Sequence, residues 1–231
     1  VGTNLSLSCV LYDTSSTATT TSDVTGSTNY AGTINGSVSI GAGPAVNTIT
    51  THADAAYGIQ AYLSGTVQTT GSLAISTAGQ YAQGLDVSSA GLISMDSGSG
   101  AVTITTTGQN SVGIYANNQG VAQGTGKVDI NTAGASGHGV VATGGGIVTL
   151  TGNSANPSTI LTKGDFSHGL FTDTASSSIT VSNSSISTLG LQAYGANASA
   201  GKVALTSAVV STTGPSANGL AGVSQGTTKA T

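Results

Sequence analysis

Val102-Thr103-Ile104-Thr105-Thr106-Thr107-Gly108-Gln109-Asn110-Ser111-Val112-Gly113-Ile114-Tyr115-Ala116 decides the fold, because its spacing recurs along the chain. Ile104 is followed two positions later by Thr106 and nine positions later by Gly113. The same register starts at Ile49, Ile75, Ile130, Ile160, Ile186 and Val210. Its threonines are Thr51, Thr77, Thr132, Thr162, Thr188 and Thr212, and its glycines are Gly58, Gly84, Gly139, Gly169, Gly195 and Gly219. Successive copies lie 26, 29, 26, 30, 26 and 24 residues apart. A register that survives insertions of variable length marks stacked structural repeats, in which each unit buries its apolar face only against its neighbours.

With the aliphatic residue as position zero, each unit carries three strand signals. The first spans position zero, as in Val128-Asp129-Ile130-Asn131-Thr132. The second opens at the glycine of position nine, as in Gly139-Val140-Val141-Ala142, and the third follows a glycine near position sixteen, as in Gly146-Ile147-Val148-Thr149-Leu150. That glycine is shifted in one copy, to Gly201, and replaced in another, by Ser176. Position four is glycine in six copies (Gly79, Gly108, Gly134, Gly164, Gly190, Gly214), which predicts a sharp turn through positive φ. No segment has the 3.6-residue period of an amphipathic helix.

Three short strands and three turns in about 26 residues describe one coil of a parallel β-helix, each strand pairing with its equivalent about 4.8 Å along the axis. The expected fold is therefore all-β, a single-stranded solenoid of about seven coils over residues 46–231. Alternation puts positions zero and two on one face, so the aliphatic and threonine columns both point inward or toward the corner, where stacked inward threonines can hydrogen-bond along the ladder. Residues 1–45 lack the register. Leu5–Tyr12 reads as a strand, Ile34–Ile40 as a second short one, and Gly41-Ala42-Gly43-Pro44 as a turn. A solenoid needs an atypical end unit over its open core, so this segment is expected to be the N-terminal cap.

The composition excludes several classes of function. Arg, Glu and Trp are absent, only 5% of residues are charged, and the net charge is −4. That removes the basic footprint on which nucleic-acid binding depends. No apolar run approaches the roughly 20 residues of a membrane-spanning helix. The lone Cys9 rules out an internal disulfide. The chain starts at Val1 with no initiator Met, so it reads as a processed chain or a fragment.

The unit Thr-x-Gly-x4-Gly-aliphatic-x-small, with instances such as Gly137-His138-Gly139-Val140-Val141-Ala142, Ser167-His168-Gly169-Leu170-Phe171 and Asn218-Gly219-Leu220-Ala221, resembles the repeats of pertactin-like passenger domains of autotransporters of Gram-negative bacteria. The likeness covers residues 47 to 231. It implies a right-handed β-helix, exported through the periplasm and outer membrane by a C-terminal β-barrel translocator and then displayed at the cell surface or released. The chain lacks that barrel and ends inside a coil, so it is expected to be the N-terminal part of a longer passenger.

The chemistry-bearing residues are few. Glycoside hydrolysis needs two carboxyl groups within about 5–9.5 Å. Asp54 and Asp165 share position five but lie four coils apart. Asp86 has Gln60 and Tyr115 as column neighbours, and no acidic pair forms. A catalytic site is therefore not expected. His138 and His168 share position eight in consecutive coils, and with Asp165 they are the residues from which a metal site would be built. Zinc takes three or four ligands, so the column reads first as a turn column and the chain as one without metal or cofactor. The glycines fit no phosphate-loop pattern and no helix follows them. Outward Thr-x-Thr pairs suggestive of ice binding occur at Thr48/Thr50 and Thr103/Thr105, but Asp129/Asn131, Thr159/Leu161 and Val209/Ser211 break the array. The expected function is that of a non-catalytic adhesin, attaching to host cells or matrix or to copies of itself. The alternatives are a polysaccharide-active enzyme and an ice-binding protein. The repeat columns, among them Ile75, Thr77, Gly84, Ile104, Thr106, Gly113, Ile130, Thr132 and Gly139, are read as scaffold.

Overall fold

The computed structural model describes residues 17–20, 24–26, 37–41, 46–222 and 226–231. Among them all regular structure is β, and every pairing between strands is parallel, each strand bonding to its equivalent in the next coil. The chain is a parallel β-helix. Its coils stack in the register read from the sequence: Ile49 pairs with Ile75, then Ile104, Ile130, Ile160, Ile186 and Val210. The longer copies place their extra residues at the third corner. Gly98-Ser99-Gly100 lies there in one copy, and a small loop closed by an Asn153–Asn156 bridge lies there in another.

Two differences concern the strands. The three strands of a coil are not always separate, because Leu92–Thr106, Val121–Thr132, Leu170–Thr188 and Ala196–Thr212 each run through the third corner without a break. The ladder also crosses the expected boundary at residue 45. Val24–Gly26 pairs with Asn47–Thr51, and Ser37–Ile40 pairs with Thr66–Thr70. Leu5–Tyr12 and residues 42–45 lie outside the described residues.

The interior is built from pairs of alternating positions on each face. The first strand contributes the buried isoleucines of position zero, the second contributes pairs such as Ile114 and Ala116, and the third contributes pairs such as Val148 and Leu150. Thr51, Thr77, Thr106, Thr132, Thr162 and Thr188 are buried as expected. Their hydrogen bonds differ from the expectation. Each Oγ1 donates within its own coil, to the carbonyl five residues on: Ala56, Ala82, Ser111, Gly137, Ser167 and Ala193, at 2.5–2.8 Å. The following turn points these carbonyls inward, away from any ladder partner, and the threonine hydroxyl satisfies them where an unpaired buried carbonyl is costly.

The glycines of position nine explain why aliphatic and glycine recur together. A Cβ on Gly113 would stand 2.4 Å from Cγ2 of Ile130 and 2.6 Å from the carbonyl oxygen of Gly139. The same holds at Gly58, Gly84, Gly139, Gly169 and Gly195, each facing the β-branched residue of the following coil. The methyl of one coil fills the space that a side chain would take on the coil before.

At position four the expected reason for glycine is wrong. None of Gly79, Gly108, Gly134, Gly164, Gly190 and Gly214 has positive φ. A Cβ there would lie 1.7–2.1 Å from the carbonyl oxygen of position four in the preceding coil, so close stacking of backbones excludes it. The left-handed residue is two further on, and it is never glycine: Ala55, Tyr81, Asn110, Ser136, Phe166, Gln192 and Ser216 have φ of 51–57°. Each of the first six gives its N–H to the position-five carbonyl of the next coil, at 2.8–3.0 Å. A stacked hydrogen bond thus holds a backbone conformation that ordinarily costs a side-chain-bearing residue about 1–2 kcal/mol. The second turn takes two left-handed residues in succession before its glycine, as at Asn118-Gln119-Gly120, closed by Gly120 N–H donating to Asn117 O at 2.9 Å. Positive φ at both central residues is the type I′ pattern.

Candidate functional site

Position eight lies at the end of the first turn, just before the constant glycine, and its side chains stack along one outer edge of the rod. Tyr57, Gln83, Val112, His138, His168, Tyr194 and Asn218 occupy it in order. Three consecutive members of this turn column stack as rings. His138 and His168 have ring centroids 5.0 Å apart at 19°, and His168 and Tyr194 are 5.0 Å apart at 10°. Phe171, from position eleven of the second strand, packs beside both imidazoles at 5.2 and 5.5 Å. The stack follows the coil spacing, so its geometry comes from the ladder.

Each imidazole is also tied to the backbone of the next coil. His168 N–H donates to Nδ1 of His138 at 2.9 Å, and Tyr194 N–H donates to Nδ1 of His168 at 3.0 Å. Gln83 makes the same link through Oε1, which accepts from Val112 N–H. A backbone N–H can only donate, so both Nδ1 atoms are bare and the proton of each neutral ring sits on Nε2. Nε2 of His168 lies 3.2 Å from the side-chain amide of Asn197. The tautomer therefore assigns the amide oxygen of Asn197 to that contact, which supplies the donor that this buried oxygen otherwise lacks. Burial pushes His138 down to about 3, with its neighbour His168 adding to the effect, and burial pushes His168 down to about 4.

This arrangement bears directly on the metal candidates. A metal ligand needs a bare nitrogen, and the bare nitrogen of each imidazole is already occupied by an amide. Asp165 is not brought to the pair. Its Oδ1 accepts Leu191 N–H at 2.8 Å on the first-turn ridge. Among the described residues no group of three or more His, Cys or Asp is placed to hold a metal ion. His138 and His168 are joined, and Asp165 stands apart.

A second cluster lies on the same edge, two coils earlier. Asp86 stacks in register between Gln60 and Tyr115 and is buried to 6% exposure. Its Oδ2 accepts from Gln60 Nε2 at 2.7 Å and from Ser88 Oγ at 3.5 Å. Burial raises its pKa against those two hydrogen bonds. Burial, and then the Asp86 charge, raise Tyr57 and Tyr115 as well. Sequence spacing places Asp86 beside Gln60 and Tyr115, but nothing in a list of neighbours signals that position eleven is covered by position eight.

The remaining described aspartates serve the scaffold. Asp54 accepts Gln80 N–H, Asp96 accepts Gly98 N–H, and Asp173 accepts from the Thr174 hydroxyl. Asp129 accepts both Thr159 N–H and the Thr159 hydroxyl, and sits 3.3 Å from the Lys127 ammonium. No family model, curated protein or solved structure matches this chain.

Proposed function

We propose that the chain is a section of an autotransporter passenger of the pertactin-like kind, displayed on the bacterial surface as a non-catalytic adhesin. A C-terminal outer-membrane β-barrel would export it, and the rod would attach to host cells or matrix or associate with copies of itself. One observation carries this reading. Every constant column is taken up by the scaffold, and the polar residues that remain outside are mostly uncharged Ser, Thr, Asn and Gln, with a few Lys and Asp among them.

The use of the acids favours it over an enzyme. All six described aspartates accept hydrogen bonds from the backbone or from side chains of the rod itself. The experiment is display of residues 1–231 on a non-adherent cell through a heterologous barrel. Binding to host cells or matrix, or clumping of the displaying cells, is the expected outcome. Glycan turnover abolished by Asp86→Asn would overturn the reading in favour of an enzyme, and rods that neither bind nor clump would leave only a spacer.

A further inference from the structure

The first-turn ridge has a composition that the fold alone does not require. Positions three and five flank the close-packed glycines of position four, and both point outward. In coil five they are Lys163 and Asp165, and in coil six Leu189 and Leu191. Coil four has Ala133 and Ala135 there, and coil one has His52 and Asp54. Leu189 and Leu191 are 44% and 37% exposed, and Phe166 beside them is 48% exposed. Phe166 and Leu191 are neighbours across the coils: Phe166 N–H donates to Leu191 O, and Leu191 N–H donates to Asp165 Oδ1, both at 2.8 Å.

Phe166 is disfavoured twice over. It holds φ of 57°, where a bulky residue is an outlier, and it leaves an aromatic ring in water. The stacked hydrogen bond imposes that backbone at position six of the first six copies, so what the fold leaves unexplained is the exposed ring beside two exposed leucines. Lys163 and Asp165 are both exposed, and the ion pair among the described residues is Lys127–Asp129, not this one.

We propose that this ridge is a lateral docking surface for a second copy of the chain, the two rods lying parallel about a twofold axis that runs along the position-four glycines. Such an axis sets position three of each coil against position five of the same coil in the partner, and the reverse. Lys163 then meets Asp165, Leu189 meets Leu191, Ala133 meets Ala135 and His52 meets Asp54, each contact occurring twice. The glycine column leaves no side chain between the two backbones. Phe166, one step further out, reaches toward the partner's first strand, where coil five has the aliphatic Leu161 while other copies have Ser, Thr or Asn. The parallel orientation suits rods rooted in one surface, and it holds whether or not the rod adheres to anything else.

The test is sedimentation equilibrium of the purified chain from about 10 to 500 μM. Reversible dimerisation is expected for the native sequence. Phe166→Asn suits the left-handed backbone, so it should weaken the dimer tenfold or more without lowering the melting temperature. Lys163→Asp alone and Asp165→Lys alone should each be monomeric, because like charges then face one another twice. An equimolar mixture of those two variants should dimerise, because every facing pair is again of opposite sign. A monomeric native chain at the highest concentration, or charge variants that dimerise singly, or a mixture that stays monomeric, would overturn the proposal. Displaying cells that bind or clump unchanged with Phe166→Asn would leave the adhesive reading intact while removing this surface from it. Dimers in solution from a rod that neither binds nor clumps would do the opposite.

Discussion

A methyl group on one coil and a missing Cβ on the coil before occupy the same space, and that exchange is the smallest unit of this fold. Gly113→Ala brings a carbon within 2.6 Å of a backbone carbonyl that cannot move without its ladder. The expected cost is roughly 1–3 kcal/mol or more, measured as a lower denaturant midpoint. The same change at Gly98 meets nothing within 4 Å, but it forces φ of 56° on alanine, so its smaller cost comes from backbone strain. Thr132 allows a cleaner separation of terms. Thr132→Val keeps the shape and leaves the carbonyl of Gly137 without its donor, at a cost of about 1–3 kcal/mol. Thr132→Ser keeps the hydroxyl and loses only a methyl, about 1 kcal/mol. If valine proves the milder of the two, the hydrogen bond is not what holds that column. The register of these residues was legible in the sequence, but the reasons were not. Glycine at position four reads as a turn former, and only three-dimensional stacking shows that a neighbouring carbonyl is what forbids its side chain. The left-handed residues at position six leave no trace in residue type, because the hydrogen bond that their N–H donates to the next coil imposes their conformation.

Within a column, chemistry follows from repetition. His138 and His168 each hold the next coil through a bare Nδ1, so protonating either ring replaces an acceptor with a donor facing a donor. Their folded pKa values lie below the ordinary 6.5, at about 3 and about 4. The stability they contribute is therefore complete above pH 6.5 and is lost as the pH falls toward 4 and 3. Asp86 acts in the opposite sense, since its raised pKa contributes stability below the ordinary carboxyl range and loses it as the pH rises. Each pH unit below 6.5 costs about 1.4 kcal/mol per imidazole until the folded pKa is reached. The melting temperature should thus fall between pH 6.5 and 4. His138→Gln with His168→Gln should flatten that fall, because glutamine at Gln83 already accepts the same bond without titrating. A double variant as acid-sensitive as the native chain would show that the pH response lies elsewhere. The sharing of position eight by both histidines could be read from the sequence. The arrival of Phe171 and Asn197 beside them could not, because that contact depends on how tightly the first turn folds back onto the second strand.

Over the whole molecule, every contact of the constant columns is made within a coil or with an adjacent one, as in other solenoids. Stability should then be divisible. Excising residues 107–132 joins Thr106 to Ala133 and removes one 26-residue period, leaving the sequence of columns unbroken. The shortened chain should keep its β circular dichroism and a cooperative melt. A deletion of half that length at the same site should weaken the β signal and broaden the melt, since it would turn core residues outward at the junction. The entry of the ladder into Thr17–Thr20, Val24–Gly26 and Ser37–Ile40 was hidden from sequence reading because these segments lack the aliphatic, threonine and glycine register, although they pair in the same sense.

The clasp of methyl over glycine also bears on how such a chain can change its length. The paired partners, Gly113 and Ile130 for example, belong to different copies of the repeat, so each joint is written half in one copy and half in the next. Because every joint uses the same two halves, a duplicated or lost copy brings a fitting half to each new neighbour. Nothing in the core counts the coils, so the length of the rod is free to drift under selection acting on its outer rows alone.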